Sequence, residues 1–89
     1  MHRSVPPASE LISLALLPVG GHARIEKVEG GRLLTRRLLS LGLRVGCEVD
    51  VVQHRGRGVV VASQGTRVAL GAGVADKLLV LPLVAGTEA

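Results

Sequence analysis

The chain has 89 residues, enough for one domain. Of these, 47% are hydrophobic, yet there is no Phe, Trp or Tyr, and the net charge is +4. Such a charge admits an acidic partner, a nucleic acid or an anionic surface. The missing aromatics take away the base-stacking platform of nonspecific single-strand binders and the lined groove of proline-rich peptide binders. The single cysteine, Cys47, precludes an intrachain disulfide, and no apolar run nears the ~20 residues of a membrane-spanning helix.

A chain of this size buries roughly 60% of its unfolded surface, so its margin of stability is thin. Its core must be assembled from Leu, Val, Ile and Ala, and the abundance of Val favours strands. Residues 1–10, with Pro6 and Pro7, read as a flexible tail. The run "LISLALL", Leu11–Leu17, has Arg3 before it, like a secretion signal. Pro6, Pro7 and Glu10 in front of it and Pro18 behind it fit that poorly, so it reads as a structural segment of a cytoplasmic protein, with helix starts at Ser9 or Ser13.

"PVGG" is a turn, and "HARIEKV", His22–Val28, alternates as a half-buried strand. After a second turn, "EGGR", comes the best helix, Arg32–Leu41. At ~100° per residue Leu33, Leu34, Leu38 and Leu41 share one side, and Thr35, Arg36 and Ser40 lie away from it. Arg37 falls on the apolar flank, where an arginine must reach out to solvent or find an acceptor. Leu39 falls on the polar face beside Arg32 and Arg36. Gly42 is placed to end the helix in a left-handed conformation, with Leu43 packing back on the last turn.

Val45-Gly46 turns the chain into "CEVDVVQ", in which Cys47, Val49 and Val51 share one parity. "HRGRG" is a hairpin loop, "VVVAS" the return strand, "QG" a turn and "TRVAL" another strand. "GAGVADK" is a loop or a single helical turn. "LLVLPL", Leu78–Leu83, is the last strand, and residues 84–89 form a C-terminal tail. About five short strands with one or two short helices predict a mainly β fold, a small barrel over residues 11–83, closed so that few valine-rich edges are exposed.

The sequence offers no catalytic site. The glycines match neither a P-loop nor a dinucleotide fingerprint. His2, His22, His54 and Cys47 lack the spacing of a zinc site, and no nucleophile is placed beside a base. The feature that stands out is Leu39 among Arg32, Arg36 and Arg37. It predicts a partner-binding surface with an apolar centre and a basic rim.

These residues also resemble a known family. "RRLLSLGLRVGCEVDVV" is similar to the central motif of the FeoA family of ferrous iron transport proteins, carried by Arg37, Leu38, Leu39, Leu41, Gly42, Gly46, Val49 and Val51. "SLALLPVGGHARI" resembles the family's opening and "QGTRVALGAGVADKLLV" its closing segment, through Ala69-Leu70, Ala75 and Val80. The chain departs from the pattern at Val45, where proline is frequent, and at Gly71 and Val74. The resemblance implies an SH3-like β-barrel. It also implies a small cytosolic accessory of iron uptake that binds the FeoB-type GTP-binding membrane transporter and is peripheral to the membrane only through that partner. No cofactor is required; a divalent transition metal, Fe²⁺ or Zn²⁺, is the alternative, without an identified ligand set. Two other readings stand beside it: a basic barrel on RNA or the ribosome, which the absent aromatics oppose, and a direct sensor of transition metal. No nucleic acid is expected, and the apolar content leaves a weak homo-oligomer open.

Overall fold

A computed structural model of the chain describes residues 10–83. The tails read from the sequence, 1–10 and 84–89, lie outside the described residues except for Glu10.

Among the described residues, six strands and two α-helices follow one another: β1 (Ile12–Ser13), β2 (His22–Val28), α1 (Gly31–Ser40), β3 (Glu48–Arg55), β4 (Gly58–Ser63), β5 (Thr66–Leu70), α2 (Ala72–Ala75) and β6 (Leu78–Leu83). Alternation decides which way the strands face. Ala23 and Ile25 on β2, Val49 and Val51 on β3, Val59 and Val61 on β4, Val68 and Leu70 on β5, and Leu78 and Val80 on β6 are all buried, two residues apart. Fully burying an aliphatic side chain is worth roughly 1.5–3 kcal/mol, so this one inward face supplies most of the cohesion.

The strands form a single sheet in the order β1-β6-β2-β3-β4-β5, antiparallel throughout. Register shifts between Ile25 and Lys27 on β2, and between Val51 and Gln53 on β3, bend the sheet around its core. The fold is an SH3-like barrel, mainly antiparallel and with two helices, as expected. Its closure differs from the expectation. No ladder joins β1 to β5 among the described residues, because β1 is only two residues long. The chain then enters a 3-10 turn, Leu14–Leu16, capped by the Ser13 hydroxyl, which accepts from the Ala15 N–H. Buried Leu14 and Leu17 from this segment, with Ala75 of α2, close the barrel end by packing. The helix start foreseen near Ser13 is this turn. The sixth strand escaped notice because two residues carry no periodicity.

The hairpin turns are tight. Arg55 pairs with Gly58 and Ser63 with Thr66, leaving two-residue turns. β3 therefore runs two residues further than its apolar pattern, through His54 and Arg55. His54 stays in register because its Nε2 donates to the Leu17 carbonyl at 2.7 Å.

The end of α1 fits the sequence expectation closely. Gly42 has φ +86°, and the Leu43 N–H donates to the Leu38 carbonyl at 2.8 Å while the Gly42 N–H donates to that of Leu39 at 3.0 Å. This is a Schellman cap, and buried Leu43 packs beneath it. The Gly46 N–H then reaches the Ile25 carbonyl at 2.7 Å and ties the start of β3 to β2. At the other end Gly30 lies against Leu34, and any side chain there would collide with it.

Candidate functional site

α1 packs on β2, but by less of its surface than its leucines suggest. Leu38 is 1% exposed and Leu34 is half-buried. Leu33, expected on the inward side, is 81% exposed, and Leu41 is exposed as well. The reason is geometric. The buried stripe centres on Leu38, and at ~100° per residue Leu33 lies about 140° away from it. With Leu34 taking the contact beside Leu38, the barrel offers nothing for Leu33 to touch.

The outward face of α1 thus carries Leu39, 52% exposed, then Arg32 and Arg36, then Leu33 and Arg37. All four sequence-predicted residues, Arg32, Arg36, Arg37 and Leu39, are exposed on this one helix. Leu39 lines a shallow hollow with Arg32, Thr35 and Arg36. Arg37 lies across the helix from Leu39. It reaches solvent and lines a second hollow of about 460 Å³, with Leu33 and Leu34 on one wall and Gly73, Val74 and Lys77 of the α2 region on the other.

The electrostatics of this face are one-sided. α1 contains no acidic residue. The nearby carboxylates are engaged elsewhere, Glu26 by Arg24 at 2.7 Å and Glu29 by Lys27 at 3.2 Å. Among the described residues no ion pair includes Arg32, Arg36, Arg37 or Lys77.

A second charged cluster lies on the solvent face of the β2–β3 ladder, where His22 pairs directly with Asp50. The imidazole stands between two carboxylates, Nδ1 at 2.5 Å from Asp50 Oδ1 and Nε2 at 2.9 Å from Glu48 Oε1. The hydrogen bond to Asp50, then that to Glu48, raises the His22 pKa above its usual 6.5. Together they favour an imidazolium clasped between two anions. The two carboxylates approach opposite nitrogens and do not converge on one point. Among the described residues no group of three or more His, Cys, Asp or Glu side chains is placed to hold a metal ion. Cys47, expected on the buried parity, is indeed buried, 3.8 Å from the Ser63 hydroxyl.

Sequence reasoning missed two groups. Leu33, Val74 and Lys77 come together only because α1 and the α2 region line one hollow, which no local pattern encodes. His22, Glu48 and Asp50 all sit on the polar parity of adjacent strands, and only the strand register brings them together.

The order of these elements, with an α1 that ends in a glycine cap and feeds the central strands, can be set beside known proteins. The FeoA domain profile matches residues 12–82. The chain belongs to the FeoA domain family. A Methanocaldococcus jannaschii protein named for Fe(2+) transport is 28% identical over 67 residues, 75% of this chain and 82% of its own length. The crystal structure of an iron uptake regulatory protein (FeoA) superposes with a TM-score of 0.76 at 26% identity, over 82% of this chain and 97% of its own. The FeoA protein of Chlorobium tepidum gives a TM-score of 0.73 at 28% identity, over 86% of this chain and 74% of its own. A manganese-dependent transcriptional repressor shares the fold at a TM-score of 0.78 and 22% identity, but this FeoA domain corresponds to only 38% of that chain. Membership of the family supports a role in ferrous iron transport. No helix among the described residues is long and apolar enough to cross a membrane.

Proposed function

We propose that this FeoA domain is a cytoplasmic accessory of ferrous iron uptake, acting by direct contact with a FeoB-type GTP-binding membrane transporter. It performs no chemistry of its own and works through the outward face of α1. The observation that carries this reading is the exposure of Leu33 and Leu39 among arginines that have no carboxylate partner among the described residues. A helix held rigidly by a buried Leu38 and a Schellman cap, yet apolar and cationic on its free side, is suited to docking. Family membership supplies the transport context. Among the described residues, the alternative of a bound Fe²⁺ or Zn²⁺ gains no support from the side-chain geometry, since His22 is held between Glu48 and Asp50 on opposite ring nitrogens.

The test is co-purification with membranes bearing the transporter. The unaltered chain should be retained, and Leu39→Asp combined with Arg36→Glu should release it while its thermal unfolding stays unchanged. Retention of the double variant would reject α1 as the contact. Recovery of ribosomal RNA instead, with retention collapsing steeply as salt rises, would replace this reading by a nucleic-acid one.

A further inference from the structure

The hollow between α1 and α2 has a more specific chemistry than a general docking surface. It is lined by apolar Leu33, Leu34 and Val74 and by two cations, Arg37 from α1 and Lys77 from beyond α2, with Arg36 next to Leu33 around the helix. Asp76, which follows α2, lines a different hollow, with His54 and Arg57. Glu29 is bonded to Lys27. An apolar slot with cations on both sides is complementary to an apolar stripe with carboxylates on both sides.

We propose that this groove seats an amphipathic helix of a protein partner, with Leu33 as the central contact and acidic residues of the partner flanking its apolar stripe. The inference rests on the reading of α1 as a docking helix and adds the chemistry of what docks. Two helices that present a shallow apolar trough fit a third helix better than an extended strand, whose backbone needs a sheet edge.

The other occupants fit less well. A second copy of the chain meeting this face through a two-fold axis would set Arg36, Arg37 and Lys77 against the same cations. Its own acidic pair, Glu48 and Asp50, is already taken by His22. An anionic lipid surface would welcome the arginines. However, α1 is ten residues long, and the chain has no aromatic ring to anchor it at the interface.

The experiment is an amide-shift titration of the isotope-labelled full chain, by NMR. The probes are a synthetic amphipathic peptide of about five helical turns, with leucines along one stripe and glutamates beside it, the same peptide with every glutamate replaced by lysine, and vesicles of mixed phosphatidylcholine and phosphatidylglycerol. The acidic peptide should shift the amides of Leu33, Arg37, Val74 and Lys77, and the lysine peptide should not. Leu33→Asp should weaken the acidic peptide at least about tenfold, as loss of a central contact does. Equal binding of both peptides, shifts centred elsewhere, or no shift at all would overturn the proposal. Vesicle binding through Leu33 without peptide binding would replace it with a lipid surface. No transporter is present in this titration. A positive peptide result with failed co-purification therefore rejects the transporter as partner and keeps the groove, and the reverse rejects the groove and keeps the transporter.

Discussion

Two charged surfaces of this domain contrast. On the β2–β3 ladder each charge has a partner: His22 lies between Asp50 and Glu48, and Arg24 is bonded to Glu26. On α1 the cations have none among the described residues, and leucines stand among them. The first surface is satisfied within the fold, so its charges serve to hold strands together. The second has no such internal pairing among the described residues, and its cations are met by water. A net charge of +4 therefore says less than its distribution: three arginines outside any ion pair among the described residues, Arg32, Arg36 and Arg37, stand where Leu33 and Leu39 are also exposed.

The sharpest way to break the comparison is within α1 itself. Leu38→Ala should cost about 2–5 kcal/mol, because it empties a fully buried site. Leu33→Ala should stay within about 0.5 kcal/mol, as surface changes do. Urea unfolding followed by circular dichroism measures both, and a large loss at Leu33 would make it structural.

Charge exchange separates the faces next. Arg36→Glu with Arg37→Glu should reduce partner retention roughly tenfold, about 1.4 kcal/mol, and leave unfolding almost unchanged. Glu48→Gln with Asp50→Asn should do the reverse, sparing the partner and lowering stability by up to about 1 kcal/mol at pH 6. If both pairs affected the partner equally, long-range charge rather than the α1 face would govern the contact.

The smallest effect is in pH. His22 has a raised pKa in the fold, so the folded state holds the proton more tightly than the unfolded one. The stability it contributes is fully present below its unfolded value of 6.5, as long as the carboxylates are ionised, and is lost as pH rises through the folded value. His22→Gln should therefore lose most relative to the unaltered chain between about pH 5 and 6.5. The two should converge as pH rises above the raised folded value. A gap that widened as pH rose would show that the imidazole bonds in its neutral form.

The strands were legible because Val and Leu alternate with polar residues and because Gly-containing turns separate them. β5 and β6 have the limits read from the sequence, and α1 begins one residue earlier and ends one earlier than expected. Helical periodicity located the leucines of α1 but not the centre of its buried stripe, since the width of contact is set by the barrel rather than by the helix. That is why Leu33 was expected inside and Leu39 was singled out alone. Arg37, placed on an apolar flank, is resolved by reaching solvent beside Leu33. The His22 clasp was beyond reach for a different reason: its members are separated by more than twenty residues and meet only through register.

One feature of the sheet order bears on how the domain is made. β6 lies between β1 and β2, so the last strand in chain order is hydrogen-bonded to the first two. During synthesis Ala23 and Ile25 have no neighbour on that side until Leu78–Leu83 has left the ribosome. β2 therefore completes its pairing only after β6 has emerged, and a chain stalled before β6 presents β2 as an open edge.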